Sequence, residues 1–597
     1  MKHAFTTVLR LIVLLLAARV SAIAQAPPGW AWAQHLGVYA YSATGQNEVA
    51  GLGRDAAGNL YLLGTYVGTP VLSGTPTTRQ GDTDMFLAKY TPAGNLLWLR
   101  LLQSSGGDYA GALSVEPSGR CTLSGAFGNT TGGDLSFTNF NSATTLPGTV
   151  SLGLAAPTPL GYYSLPFVAS VDANGTLLWA DTPSTTAGLG VNFMDCDNSG
   201  NCYLSASAGT RGSLIIKGQT YPGIGSNDAV LMKYTATGQL SWARRVGSPQ
   251  GLTVNGSVKT DNAGAVYWLL SYAGSLTIDH ITATSTGLYS LVKLSASNRV
   301  RWIKDKILRI GTNGAIGSLL SYDAPSNKLY LSCISAGGDI VFDGGGPIPV
   351  TSNAVTMCVA QCDTAAQVQW VKAYAYSTIA PGGLPGFRSA GINGFAVRGT
   401  GFTLATTTVY SNQTTYIGSA RTYGPTESGL ACVLHFNTTT NQTEWVRVGG
   451  APFVSGQNSS TSVVAAVVDA ADNVFVAGSV IGNAQFGATS FSTSTVAHPD
   501  MFLARLDQAV PTATATTAPG RAWSIFPNPA TDEVQLSGLP AAAQVRVYDA
   551  LGRLVRTLPP VASASAPRTV RALPAGLYLL QVANTPESYR SQRLVVE

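Results

Sequence analysis

Charge is scarce in this chain. Of 597 residues only 11% are Asp, Glu, Lys or Arg, and the net charge is +5. The basic residues are scattered, so no tract offers nucleic acid a footprint. Long apolar runs are missing after the N-terminus, which argues against a later membrane-spanning helix. Histidines number five, and His35, His280, His435 and His498 share no motif. There is no G-x-S-x-G, no H-E-x-x-H and no phosphate-binding glycine loop. Between residues 27 and 508 the only glutamates are Glu48, Glu116, Glu427 and Glu444. Paired-carboxylate hydrolysis would fall to aspartates. Most of those sit in turns, where a carboxylate bonds its own backbone, and this accounts for Asp55, Asp261 and Asp469. Asp195-x-Asp197-x-Ser199-Gly200 resembles the start of a calcium loop, but the twelfth position is Ala206 rather than an acid, so a turn is the better reading. No cofactor or metal is expected.

Cysteine is also sparse and odd in number: Cys121, Cys196, Cys202, Cys333, Cys358, Cys362 and Cys432. An odd set cannot pair completely within the chain. Cys196 and Cys202 flank a hairpin turn and could face each other, although spacing alone does not settle it. Cys358 and Cys362 share one strand at about 13 Å, too far to bond. The set as a whole reads as small buried apolar residues.

What is present begins with an export signal over residues 1–24. Lys2, His3 and Arg10 precede the apolar run 11–18, and Ala22-Ile23-Ala24 fits the small-x-small cleavage rule. The run is too short for a membrane anchor and is followed by Arg19.

The chain is then organised by a repeat. A signature strand occurs as DMFLAKY (84–90), LPFVASV (165–171), DAVLMKY (228–234), YSLVKLS (289–295), VTMCVAQ (355–361), ACVLHFN (431–437) and DMFLARL (500–506). A turn and a tryptophan strand follow the first six, with Trp98, Trp179, Trp242, Trp302, Trp370 and Trp445. Before each signature lies a strand, an Asp/Gly/Asn turn and another strand, clearest around Asp55-Ala56-Ala57-Gly58-Asn59. We call these strands a and b, the signature c and the tryptophan strand d. Four-stranded repeats of this kind mean a β-propeller. Alternation puts Met85, Leu87 and Lys89 on one face of strand c and Phe86, Ala88 and Tyr90 on the other. Both rows are largely apolar, as a sheet packed on two sides requires.

The seventh signature lacks a tryptophan strand, and Trp32 lacks a signature. Both are explained if the N-terminal segment supplies the d strand of the last sheet, which also removes two exposed edges. The expectation is an all-β chain: a seven-bladed propeller over 27–508, closed by pairing of its N- and C-terminal strands, with a small C-terminal β-sandwich. One tryptophan per repeat (Trp32, Trp98, Trp179, Trp242, Trp302, Trp370, Trp445) is expected to pack between blades rather than form a sugar-binding ladder.

Antiparallel order puts the short a–b and c–d turns on one rim and the longer b–c and d–a connections on the other. The latter include 126–164, 206–227, 373–391 and 407–429, rich in Thr, Ser, Asn, Gly and Tyr. Such loops suit recognition of glycan or protein, though they could equally be tolerated insertions.

Residues 509–521 form a Thr/Pro linker. The remainder, 522–597, reads as a separate all-β module with strands at 534–537, 544–549, 553–558, 568–572, 577–583 and 592–596. Phe526-Pro527-Asn528-Pro529 opens it. Gly552-Arg553 and Leu573-Pro574-Ala575-Gly576-Leu577-Tyr578 follow in order, and Arg593-Leu594-Val595-Val596 ends it. These ordered motifs resemble the type A C-terminal sorting domain of the type IX secretion system of Bacteroidetes, with Phe526 replacing the usual tyrosine. The resemblance implies Phe526, Pro527, Asn528, Pro529, Gly552, Arg553, Gly576 and Tyr578 as sorting-motif residues. It implies the type IX machinery as partner and a location outside a Gram-negative cell or on its outer-membrane surface. In that family the module is generally removed, and the linker is the exposed place to cut. The repeats also resemble, more loosely, the bacterial SBBP-type propeller repeat, which implies no activity.

The functional expectation is an exported, monomeric, non-enzymatic binding or adhesion protein. The alternatives are an extracellular polysaccharide hydrolase or lyase using aspartates on the long-loop rim, and a structural scaffold.

Overall fold

The computed structural model describes residues 29–38, 47–68, 70–72, 75–76, 80–128, 135–139, 149–151, 164–183, 189–209, 212–249, 253–310, 315–336, 339–344, 348, 354–378, 394–398, 401–407, 415–417, 420–423, 430–437, 442–451, 459–493, 499–507, 523–539, 543–549, 553–560, 568–583 and 592–597. The expected export signal, the expected linker 509–521, and most of the loops 126–164, 373–391 and 407–429 lie outside the described residues. Contacts divide the chain into Pro27–Gln508 and a unit holding Ala509–Glu597.

The fold is all-β. Among the described residues the larger unit holds seven antiparallel sheets built on four strands in the order a-b-c-d, three of them extended by further short strands, and three separate two-stranded hairpins. Sheet I is Glu48–Arg54, Leu60–Tyr66, Asp84–Tyr90 and Leu96–Gln103. Sheet II is Asp108–Val115, Cys121–Gly128, Ser164–Val171 and Leu177–Asp181. Sheet III is Leu189–Cys196, Cys202–Ala208, Asp228–Tyr234 and Leu240–Val246. Sheet IV is Thr253–Thr260, Val266–Ile278, Ile281–Leu294 and Val300–Ile310. Sheet V is Ala315–Asp323, Lys328–Ala336, Ala354–Cys362 and Val368–Thr378. Sheet VI is Gly394–Arg398, Gly401–Thr407, Ala431–Asn437 and Gln442–Gly449. Sheet VII is Ser460–Val468, Val474–Ile481, Asp500–Asp507 and, as its d strand, the N-terminal Gly29–Val38.

In that last pairing Trp32 lies opposite Arg505 and His35 opposite Phe502. Each a strand also touches the a strand of the next sheet, and Ser460–Val468 touches Glu48–Arg54, so the series of neighbours returns to its start. The two rows of the first signature strand serve two interfaces. Met85 and Leu87 pack with Tyr61, Trp98, Leu123 and Phe167 toward sheet II. Phe86, Ala88 and Tyr90 pack with Phe475, Met501 and Leu503 toward sheet VII. A sheet buried on both faces has no room for the polar alternation of a half-exposed one.

The b–c connections are more regular than loops. Short hairpins occur at Pro70–Leu72/Thr75–Pro76, Ser136–Asn139/Thr149–Ser151, Leu214–Ile216/Gln219–Tyr221, Thr415–Ile417/Ala420–Tyr423 and Asn483–Phe486/Thr489–Ser492. In sheet IV the hairpin is the continuation of strands b and c to Ile278 and Ile281. Several of them add to the d strand of the preceding sheet. Val71 pairs with Gly37 and Ser136 with Gln103, and in sheet V the single b–c strand Ile340–Phe342 does the same, Phe342 pairing with Leu308. These segments are two to four residues long, too short for a period-2 signal in sequence.

Cys196 and Cys202 are bonded across the a–b hairpin of sheet III. The other five cysteines are free and buried, and Cys333 stands opposite Cys358 in adjacent strands.

The smaller unit has a three-stranded sheet, Ser524–Phe526, Glu533–Ser537 and Arg568–Arg571. It has a four-stranded sheet in the order Leu554–Leu558, Gln544–Asp549, Gly576–Ala583 and Gln592–Val596. Val534, Leu536, Val545, Val547, Val570, Leu580 and Leu594 share one core. The strand Ser524–Phe526 is not anticipated from sequence, because it is three residues long and runs into Pro527.

Candidate functional site

On the short-turn rim, successive sheets are tied by N–H donors. Trp98 Nε1 donates to Ala173 O at 3.1 Å, and Lys89 Nζ donates to the same oxygen at 3.0 Å. Arg100, almost fully buried, adds Nε to Gly175 O at 2.9 Å and Nη2 to Asn174 O at 2.9 Å. Burial pulls its pKa down to about 10. The arrangement repeats: Trp179 donates to Ala236 O, and Trp242 and Lys233 both donate to Ala296 O. Lys89 also lies over Tyr61, Lys233 over Tyr203, and Lys293 over Tyr267. Asp55 anchors the first of these sets through Asn59 N at 2.8 Å, Tyr61 Oη at 3.3 Å and Lys89 Nζ at 3.4 Å. Burial works against its charge, but Asn59 and Lys89 outweigh it and hold its carboxyl below the usual range. Asp261 and Asp469 likewise accept N–H groups of their own turns.

Asp197 does the same with Ser199 N and Asn201 N. Asp195 instead reaches Lys259 Nζ and Thr260 N in sheet IV. The two aspartates therefore have separate partners. Among the described residues no three His, Cys, Asp or Glu side chains are grouped to hold a metal ion.

The opposite rim carries fully buried acids. Asp84 accepts Gln80 N at 2.8 Å, Gly81 N at 3.3 Å and Gln103 Nε2 at 3.2 Å. Asp228 accepts Ile224 N at 2.9 Å and Gly225 N at 2.8 Å, and Arg245 meets it through Nε and Nη2, each at 2.8 Å. Arg245 Nη1 donates on to Gly212 O and Tyr221 O, both at 3.0 Å. Asp500 meets His35 Nε2 at 2.8 Å. Each acid opens a signature strand and ties down the connection before it or the neighbouring d strand. That Asp was visible in DMFLAKY, DAVLMKY and DMFLARL, but its i−4 and i−3 partners were not.

Asp108 is the acid brought close to Asp84, since its N–H donates to Thr83 O at 2.8 Å. Its carboxylate oxygens accept Ser104 N at 2.6 Å, Ser104 Oγ at 2.5 Å and Gly128 N at 3.3 Å. Burial, with the Asp84 charge, outweighs these donors and pushes its pKa up to about 8. A proton donor beside a carboxylate is the raw material of acid–base chemistry. Here both groups are closed off from solvent.

In the smaller unit the motif residues divide into two roles. Asn528 Nδ2 donates to Arg593 O at 2.7 Å and its Oδ1 accepts Val595 N at 2.9 Å, which clips the opening segment to the last strand. Ala530 N extends the clip to Val595 O at 2.9 Å. The peptide bonds before Pro527 and Pro529 are cis. Tyr578 is buried, with its hydroxyl on Pro574 O at 2.8 Å. Arg553 returns to Asp549 at 2.7 Å. Phe526, by contrast, is 76% exposed. Gly576 begins its strand, and Gly552 lies outside the described residues.

Residues 524–597 match the secretion system C-terminal sorting domain. The chain therefore carries a type IX sorting domain of the Bacteroidetes kind. It is an exported protein that engages the type IX secretion machinery and is destined for the cell surface or outer membrane. No curated protein matches the sequence. Among solved structures, a Dyadobacter fermentans protein of unknown function is 12% identical, covering 57% of this chain and 98% of its own, with a TM-score of 0.29. The polysaccharide lyase Uly1 is 10% identical over 81% and 98%, at 0.33. PorZ, a surface component of the type IX system of Porphyromonas gingivalis, is 10% identical over 95% and 100%, at 0.16. Overlaps this loose carry no argument about fold or function.

Proposed function

We propose that residues 27–508 form a closed seven-bladed β-propeller of the SBBP type, delivered by the type IX system as a non-enzymatic binding or adhesion module for an extracellular glycan or protein. The cyclic contacts of the a strands and the pairing of Gly29–Val38 with Asp500–Asp507 support the closed ring. The seven tryptophans, Trp32 to Trp445, act as packing residues between blades. Residues 1–24 direct export and are removed, and the linker 509–521 is the place where the sorting module is cut away.

The observation that carries the non-enzymatic reading is the occupancy of the rim acids. Asp84, Asp108 and Asp228 are fully buried and spend their oxygens on backbone N–H groups. An acid used this way stiffens a loop and is closed to a polymer. A hydrolase or lyase is the second reading, favoured by Asp108, whose pKa is pushed up to about 8 by burial and by the Asp84 charge.

The secreted protein, purified from the medium or the cell surface, is to be applied to a glycan array and to a panel of extracellular polysaccharides. Binding without chain cleavage supports the first reading. Cleavage abolished by Asp108→Asn replaces it with the second. Neither binding nor cleavage leaves a scaffold.

A further inference from the structure

The sorting module presents an apolar sheet face to solvent. In Gly576–Ala583, Tyr578 and Leu580 point into the core, while Leu577 and Leu579 are 44% and 39% exposed. In the neighbouring strand Val545 and Val547 are buried and alternate with Arg546 and Tyr548 on the outside. Register sets Leu554, Tyr548, Leu579 and Arg593 in one row across four strands, with Leu577 beside Val595 in the next. Leu554 is 54% exposed. The solvent side of a two-layer β-sandwich ordinarily alternates to polar residues. This one places leucines at its centre.

The apolar exposure is concentrated in this module. Of ten exposed large apolar side chains among the described residues, five (Phe526, Leu554, Val555, Leu577, Leu579) belong to it, although it is by far the shorter unit. The propeller unit, made of the same kind of strand, hides its apolar residues far better. A patch of this sort on an otherwise soluble fold marks a contact surface. Leu577 and Leu579 flank Tyr578, and Leu554 follows Arg553, so the patch is interleaved with motif residues that serve the fold.

We propose that this outer face, centred on Tyr548, Leu554, Leu577 and Leu579, is the surface that a protein of the type IX machinery reads. The partner surface is an apolar strip with carboxylates at its edge. Arg546 and Arg593 border the patch, and none of the outward-facing described residues named on it is acidic. A protein partner is favoured over lipid because the leucines lie in the pleat of a sheet, next to a polar row in which Thr557 and Gln581 flank Arg546. The motif residues Asn528 and Tyr578 then act at one remove, by holding the last strand and the core under this face. The proposal rests on the sorting domain alone and is independent of what the propeller binds.

The test uses the full chain expressed in a Bacteroidetes host with working type IX secretion. Leu577→Thr with Leu579→Thr keeps strand propensity and removes the apolar centre. The amount reaching the medium and cell surface is expected to fall about tenfold or more, with unprocessed chain retained inside, as expected for loss of a buried interface core. Leu577→Ile with Leu579→Ile, and Gln581→Thr on the same face, should secrete normally. Thermal unfolding of the purified Thr variant should match wild type. If it does not, Leu554→Thr on the edge strand supplies the same readout. Normal secretion of the folded Thr variants overturns the proposal. Binding of wild type, but not variant, to protein-free phosphatidylethanolamine and phosphatidylglycerol liposomes overturns the protein assignment in favour of lipid.

Discussion

Trp98 and Ala173 lie 75 residues apart in sequence and are joined by an indole N–H bond of 3.1 Å from one sheet to the turn of the next. The ring packs edge-on against Tyr61 at 5.8 Å. Trp98→Phe keeps most of the ring and loses the donor, so it should cost about 1 kcal/mol. Trp98→Ala also leaves a cavity and should cost about 3–5 kcal/mol. Urea unfolding of the secreted protein would measure both; no loss for Trp98→Phe would contradict the hydrogen-bond contribution, and equal losses would contradict the packing one.

Gly238 and Trp179 make the same junction between sheets II and III. A Cβ on Gly238 would sit 2.5 Å from Trp179 Cδ2, and the residue has φ of +83°. Gly238→Ala should therefore destabilise by about 1–3 kcal/mol through clash and left-handed strain. Gly218, with φ of +78° and open space around its Cβ position, is the control. Gly218→Ala should carry the backbone strain alone and lose less.

Asp228 and Arg245 form a buried ion pair that also holds the hairpin through Gly212 and Tyr221. Arg245→Met leaves a buried carboxylate without its cation and should cost about 3–5 kcal/mol. Adding Asp228→Asn should restore part of the loss. A double-mutant cycle with no coupling would show that the two groups act separately.

Asp108 links stability to pH. Its folded pKa, pushed up to about 8 by burial, lies above the ordinary aspartate value of 3.8. The folded state therefore holds a proton that the unfolded state has lost between these values, and stability falls as pH rises through that window. Below it the unfolded carboxyl is protonated too, and no difference remains. The Tm of Asp108→Asn minus that of wild type should thus grow from pH 5 to pH 8.5. A constant difference across that range would contradict a proton held by Asp108.

Cys121, Cys333, Cys358, Cys362 and Cys432 are buried. Burial pushes the Cys362 and Cys432 thiols up to about 12. A buried, protonated thiol is a poor nucleophile. Iodoacetamide should leave the native protein unlabelled and label these five after unfolding, with Cys196 and Cys202 labelled only after reduction. Mass spectrometry of tryptic peptides would decide it. Labelling of any of the five in the native state would contradict their burial.

Much of the larger unit was legible because its information is local and repeated. The Asp-x-x-Gly turns of Asp55 and Asp261, the two-sided apolar rows of DMFLAKY and the spare Trp32 each announce themselves within a few residues. The b–c hairpins were not legible. A strand such as Leu214–Ile216 is too short to show a period, and its hairpin is held from the d strand by Arg245, which reaches Gly212 O and Tyr221 O. The rim acids were half legible. The Asp opening the signature strand was plain, but its burial with Gln103, Arg245 or His35 depends on which d strand arrives beside it.

Composition, repeat and sorting motif were thus decided by the amino-acid sequence, because each depends on neighbours along the chain. Only the tertiary structure decided that Asp108 shares its surroundings with Asp84, that Cys333 faces Cys358, and that Leu554, Tyr548 and Leu579 form one row. Those relations follow from strand register, and a shift of one residue would turn every such side chain to the opposite face.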